Sequence, residues 1–244
     1  MAKFTLKQYE SFLKNINLDS YRERFSKIKT VEMDLPKSIQ ALQTIYEQYW
    51  QNKDNLKEPL SFDEYYELYW QTHEQDILDF WSSTGFGKDC DCFKKGLKAR
   101  IYRTWASLIT QIQGGYVAET VFGEGCVKMG TELDYKDIDI LITNKDGTDR
   151  LKIQIKKETH RSEIARMQRS YDEVNNGVVY VYYIVPTQHD YENPKYVKNG
   201  KDYKNGDEKP FVKSFAKWYP ETATLDRLDN GFVIFTRNAF LGLE

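Results

Sequence analysis

The apolar residues keep a helical period as far as about Gly123 and a strand period beyond it, and this one change limits what the chain can build. Before it, Leu6, Tyr9, Phe12, Leu13 and Ile16 recur at helical spacing, with Thr5 and Gln8 placed as a capping box. Ser20 and Glu23 offer a second box. Leu35 and Pro36 punctuate the chain, and a helix is expected over residues 37–51 with Ile39, Leu42, Ile45, Tyr46 and Tyr49 inward. Ser61 and Glu64 open an aromatic helix carrying Tyr65, Tyr66, Tyr69 and Trp70. After a Gly-rich break at residues 84–87, a long helix is expected over 94–121, with the stripe Leu97, Ile101, Trp105, Leu108, Ile112 and Tyr116. Gly114 and Gly115 lie inside it at a cost of about 1 kcal/mol each against Ala. They predict either a kink or the close approach of another segment.

Strands are expected over 126–133, 138–143, 151–156 and 178–185, with Asn144 to Gly147 as a turn between the second and third. A polar helix is expected over 159–174. The fourth strand is almost continuously apolar, which predicts a central position. The order helix, three strands, helix, strand gives an α/β core with a right-handed crossover and a mixed β-sheet. Residues 187–209 read as loop, followed by a short helix at 211–218 and an edge strand at 231–236. The division expected is a helical N-terminal region, 1–93, packed on a core, 94–244.

With 40% hydrophobic and 30% charged residues, the chain is globular, and no apolar run nears the roughly 20 residues of a membrane span. The first residues lack the apolar core of a leader, so a cytoplasmic location is expected. Cys90, Cys92 and Cys126, with the scattered His73, His160 and His189, do not have zinc-ligand spacing. The net charge is −2, but it is segregated. Residues 58–79 hold acids without Lys or Arg, 94–103 hold bases without acids, and 150–169 are mostly basic. The two basic segments flank an acidic one, 132–139, which suits a polyanion held over a metal site.

That acidic segment carries the chemistry. Ile138, Ile140 and Ile142 should point one way and Asp139 the other, while Gln154 and Lys156 leave one face of the next strand. If the turn pairs these strands, Asp139 comes near Gln154 and Lys156. A carboxylate, an amide oxygen and the Ile155 carbonyl suit Mg²⁺, which prefers oxygen ligands and retains water. Lys156 can orient an attacking water or neutralise developing charge. Asp134 can assist the metal, and Asp137 shares the parity of Asp139 and can act behind it. The competing reading is a solvated hairpin face bearing Lys152, Gln154 and Lys156.

This arrangement resembles the PD-(D/E)xK nuclease signature, with Asp139 as its first acid, Gln154 to Lys156 as its E-x-K element and Glu119 as its helical glutamate. Ile138 stands where the signature has proline, and Gln154 replaces an acid. Residues 18–25, 29–36, 99–106 and 110–118, with Glu132, Asp134, Asp139 and 155–157, further resemble the TaqI-type restriction endonucleases. The resemblance implies a restriction-endonuclease-like core and a type II enzyme cutting double-stranded DNA with Mg²⁺ at the palindrome TCGA. It also implies a homodimer and a cognate DNA methyltransferase. Asp134 and Asp139 match the family's acids, and Lys156 or Lys157 its lysine, with parity favouring Lys156. Arg100, Arg103, Lys157, His160, Arg161, Arg166 and Arg169 are the candidates for DNA contact. A repair or junction-resolving nuclease of the same fold is one rival. A DNA-binding module with a decayed site, motivated by Gln154, is the other.

Overall fold

The computed structural model describes residues 4–31, 34–51, 58–84, 90–158, 177–215 and 219–243. It divides into two compact units, Met1–Ile112 and Gln113–Glu244. Among the described residues no helix is long and apolar enough to cross a membrane.

The first unit is helical. Helix α1 (Leu6–Asn15) and helix α4 (Phe62–Ser83) both start on the expected capping boxes, Thr5 with Gln8 and Ser61 with Glu64. Helix α2 (Leu18–Phe25) instead starts on Asn17, whose side chain accepts from the Ser20 N–H, so Ser20 lies inside the first turn and caps nothing. The single helix expected over 37–51 is three pieces: a 3₁₀ turn Lys37–Ile39, helix α3 (Leu42–Tyr46) and a π-helical stretch Glu47–Gln51. The unit closes around Trp105 of helix α5 (Cys90–Phe122), whose indole N–H donates to the Tyr49 hydroxyl at 2.9 Å. Buried tyrosines hand their hydroxyls to backbone carbonyls: Tyr49 to Leu60 at 2.7 Å and Tyr69 to Ile39 at 2.7 Å. Arg24 grips Asp63 through two 2.7 Å bonds, and Lys98 reaches the same carboxylate at 3.0 Å. The Arg24 bond, then that from Lys98, hold the Asp63 carboxyl down at about 2.

In the second unit, strands β1 (Val127–Lys128), β2 (Ile140–Thr143), β3 (Asp149–Lys157) and β4 (Val178–Tyr183) form a sheet in that order. The first two pairings are antiparallel and β3 with β4 is parallel, a mixed sheet as expected. Ile140 faces Ile153 across β2 and β3, and Lys156 lies beside Tyr182 in the parallel pair. The helix expected over 159–174, and so the crossover, falls outside the described residues.

Four expectations change. Among the described residues β4 lies at the end of the sheet order, not its centre. Its apolar appearance comes from tyrosines: Tyr180 and Tyr182 stack at 6.2 Å and are half-buried, while Val181 and Tyr183 face the core. The strand expected over 126–133 stops at Lys128, and helix α6 (Thr131–Asp134) follows Gly130. The last expected strand is β8 (Val233–Phe235), paired with β7 (Leu225–Arg227) in a separate two-stranded sheet. The supposed loop holds a short helix, Gln188–Glu192, and the hairpin of β5 (Val197–Lys198) and β6 (Lys201–Asp202).

Gln113 and Gly114 of α5 anchor this unit. The Gln113 amide donates to the Phe235 carbonyl at 3.1 Å and accepts from its N–H at 2.9 Å, replacing a neighbouring strand for β8. A Cβ at Gly114 would lie 3.0 Å from Ile155 Cδ1 and 3.2 Å from the Phe235 ring, which explains a glycine inside a helix. We expect Gly114→Leu to lower the stability by about 2 kcal/mol or more, despite the better helix propensity of leucine. Chemical denaturation followed by circular dichroism measures this; an unchanged midpoint would refute the packing at Gly114.

Candidate active site

Asp139 immediately precedes β2 and is 6% exposed; Gln154, on β3, is 4% exposed. The backbone fixes both. The Asp139 N–H donates to the Ile153 carbonyl at 3.0 Å, and the Asp139 Oδ2 accepts from the Ile155 N–H at 2.5 Å. Since alternate residues of a strand turn their polar groups toward the same neighbour, Ile155 points its N–H at the edge where β2 has not yet begun. A carboxylate therefore satisfies a donor that the ladder leaves over.

β2 begins late because of the turn before it. The Asp137 N–H donates to the Asp134 carbonyl at 2.9 Å and the Ile138 N–H to the Leu133 carbonyl at 3.0 Å. These two bonds make a Schellman motif at the end of α6. Its left-handed position falls on Asp137, with φ of 58°, where glycine is the usual choice. The Asp137 Oδ1 accepts from the Gln154 Nε2 at 3.2 Å. With its nitrogen so engaged, the Gln154 amide offers Oε1 as its acceptor.

Lys136, Asp137, Ile138, Lys152, Gln154, Lys156, Val178 and Tyr180 line an open hollow of about 640 Å³. Burial pushes the Asp139 carboxyl up to about 7. The Ile155 bond and the charge of Lys156 oppose that rise, while Asp134 and Asp137 add to it. Four of the expected residues, Asp134, Asp139, Gln154 and Lys156, thus meet at one end of β2 and β3. Glu119 is half-buried on α5, and it does not join Asp134 and Asp139 in a group able to hold a metal.

Among the described residues no three His, Cys, Asp or Glu side chains converge as a metal cage. The donors at hand are oxygens: Asp139, with Asp137 and Asp134 nearby, and the Gln154 amide. This set fits a hard cation that keeps much of its water and does not fit a structural zinc site.

Of the seven charged groups expected to contact DNA, three are described. Arg100 and Arg103 belong to the first unit, where Arg100 donates to the Val31 carbonyl at 3.5 Å and Arg103 to the Thr30 hydroxyl at 3.3 Å. Lys157 is exposed at the end of β3. His160, Arg161, Arg166 and Arg169 lie outside the described residues.

Comparison with known proteins shows where this site belongs. The chain matches the TaqI restriction endonuclease family over residues 6–244. The chain belongs to that family. It is 31% identical over 249 residues to the type II restriction enzyme TaqI of Thermus aquaticus, an alignment that covers all of this chain and 88% of the relative. It is 30% identical over 247 residues to the type II restriction enzyme TthHB8I of Thermus thermophilus, with the same coverage. No solved structure matches this TaqI-family chain.

Sequence reasoning set Asp137 behind Asp139 but missed the turn it occupies, since a Schellman turn ending on aspartate carries no glycine to announce it. The raised Asp139 carboxyl has a consequence for stability. The folded protein binds this proton more tightly than the unfolded chain, so between about pH 4 and pH 7 this group lowers stability as pH rises. In metal-free protein, Asp139→Asn should therefore raise the melting temperature at pH 8 and leave it nearly unchanged near pH 4. Thermal unfolding at the two pH values measures the difference; an equal shift at both would show that ionisation of Asp139 is not what costs stability.

Proposed function

We propose that this chain is a Mg²⁺-dependent type II restriction endonuclease that hydrolyses double-stranded DNA at TCGA as a homodimer, with a cognate methyltransferase protecting host DNA. The observation that carries the reading is the buried Asp139 beside Gln154 and Lys156 at one end of a mixed sheet, in a chain of the TaqI family. The TCGA site, the homodimer and the methyltransferase rest on the resemblance of the matched stretches alone.

In this reading Asp139, Gln154 through Oε1 and the Ile155 carbonyl hold the metal, and Asp134 supports it. Mg²⁺, when bound, lowers the pKa of a water and stabilises charge on the phosphoryl group. Lys156 supplies a cation at the mouth of the hollow, where it favours binding of the scissile phosphate and the charge that builds on it. Ile155 presents its N–H to Asp139 and so fixes the direction of the carboxylate. Asp137 holds the Gln154 amide in one orientation and returns to the hollow the negative charge that a glutamine at 154 withholds. Asp139, crowded by two acids in a buried site, is better satisfied by a divalent cation than by a proton.

Plasmid digestion with purified protein tests the reading. Discrete fragments with Mg²⁺ and none in excess chelator are expected, and Asp139→Ala should abolish cleavage while DNA binding stays measurable. Cleavage in chelator would refute the metal requirement, and cutting confined to branched DNA would assign the site to a junction-resolving enzyme.

Two further variants address the amide. Gln154→Glu should lower the Mg²⁺ concentration for half-maximal cleavage and Gln154→Leu should raise it, because hard cations favour carboxylate over amide oxygen. Three superimposable titrations would exclude Gln154 as a ligand. Asp137→Gly suits the left-handed turn and should not lower the melting temperature, yet it should raise the Mg²⁺ requirement. An unchanged requirement would make Asp137 a turn residue only.

A further inference from the structure

We propose that the β5–β6 hairpin, with its flanking residues Lys195 and Lys204, is a binding site for the phosphates of duplex DNA. This rests on the nuclease reading and deepens it. The hairpin turns at Asn199 and Gly200, with φ of 52° and 75°, the pair of left-handed residues that a two-residue hairpin requires. Lys198 and Lys201 are direct cross-strand partners beside that turn, and both are exposed. Like charges placed directly opposite one another destabilise a strand pair. A short, exposed hairpin that carries such a pair at its tip is arranged for an anionic partner that relieves the repulsion.

The surroundings match that partner. From Lys195 to Lys204 there are four lysines against one acid, Asp202. Among the described residues Lys198 and Lys201 form no ion pair, while Lys195 stands opposite Glu208 in an antiparallel bridge. Behind the tip, Tyr203 donates its N–H to the Tyr196 carbonyl, and the two rings lie 5.5 Å apart. The Lys204 ammonium sits 4.1 Å from the centre of the Tyr196 ring. Lys204 and Asn205 both adopt left-handed φ, 54° and 57°, ahead of Gly206 at 74°. Holding a lysine there costs the backbone, and such strain persists where a function fixes it. Val197, on the same ribbon, is 44% exposed.

The hairpin also forms one wall of a cleft of about 640 Å³. Lys195, Tyr196, Val197 and Tyr203 line one side, and Lys157, the residue after Lys156 on β3, lines another. Glu158 and Asp190 line it as well, and Lys157 leaves β3 on the face opposite Lys156, so the cleft is separate from the hollow that Gln154 and Lys156 line. A two-stranded ribbon is of a size that enters the major groove of B-DNA, with lysines on its edges facing phosphates.

The test uses the full chain in chelator, so that nothing is cut, with one short duplex containing TCGA and one lacking it. Binding is measured over a salt series for wild type, K198A/K201A and K198R/K201R. The alanine variant should weaken both duplexes alike, by tens-fold at about 0.1 M salt. It should also flatten the slope of log K against log salt by roughly 2, since each phosphate that a lysine neutralises adds about 0.9 to that slope. The arginine variant should keep the wild-type slope. The melting temperature of the alanine variant should equal or exceed that of wild type, since the repulsion is gone. A wild type that binds steeply with salt, beside an alanine variant of identical slope, would overturn the hairpin proposal and leave the nuclease reading standing. A wild type that binds neither duplex at any salt would overturn both. An unchanged slope with a changed sedimentation mass would make the hairpin a surface for a second copy of the chain, and the DNA proposal would fall.

Discussion

A carboxylate that stands in for a strand determines the architecture around the site. β3 outruns β2 at Ile155, and the N–H left over there is taken by the side chain of Asp139. Burying an ionised carboxylate costs several kcal/mol unless it is well partnered. One backbone donor and a neighbouring lysine are incomplete compensation, and Asp134 and Asp137 make matters worse. The second unit therefore holds a buried site that favours a proton or a cation. The features next to it follow from where Asp139 must lie: the Schellman turn that delivers it, the left-handed Asp137 in that turn, and the Gln154 amide that Asp137 orients.

What could be read from the residues in advance was what depends on neighbours in sequence. The boxes at Thr5 and Ser61 form because each involves residues three apart. Gln154 and Lys156 share one hollow because side chains in a strand alternate, whereas Asp139 precedes β2 and Ile138, expected on the other face, lines that hollow with them. What escaped depends on distant partners or on backbone angles. Nothing local says that β3 runs past β2, so neither the 6% exposure of Asp139 nor its raised carboxyl could be foreseen. β4 looked central because valine and tyrosine were counted alike, yet tyrosine hydroxyls let one face stay half-open. The β5–β6 hairpin was in fact signalled by Asn199 and Gly200, and was lost because lysines flank that turn where alternating apolar residues would have exposed it.

Gln154 bears on how a member of this family manages its charge. Set beside the nuclease signature, it is an acid lost from the strand. Set within the fold, Gln154 donates its amide nitrogen to Asp137, an acid on the neighbouring turn, and in the proposed reading that acid offsets the loss. The exchange moves a negative charge from the buried strand to the exposed turn, where solvating it costs less. Gln154, at 4% exposure, can remain buried and neutral while still presenting an oxygen. A glutamine here keeps an oxygen donor at the site, so by itself it is no mark of decay.

The same distinction between engaged and available charge separates the basic segments. Arg100 and Arg103 made the middle of the sequence look like a nucleic-acid surface, but both guanidiniums donate to the segment that holds Thr30 and Val31. Gly96 has the same partner: a Cβ there would lie 3.0 Å from the Lys29 carbonyl. These three residues of α5 together form a seat for residues 29–31, so part of that basic stretch does structural work within its own unit. Lys198 and Lys201 have no such engagement among the described residues and face each other at a cost. Five of the seven charged groups expected to contact DNA already fall after residue 112 in the chain, and Lys198 and Lys201 add to that half.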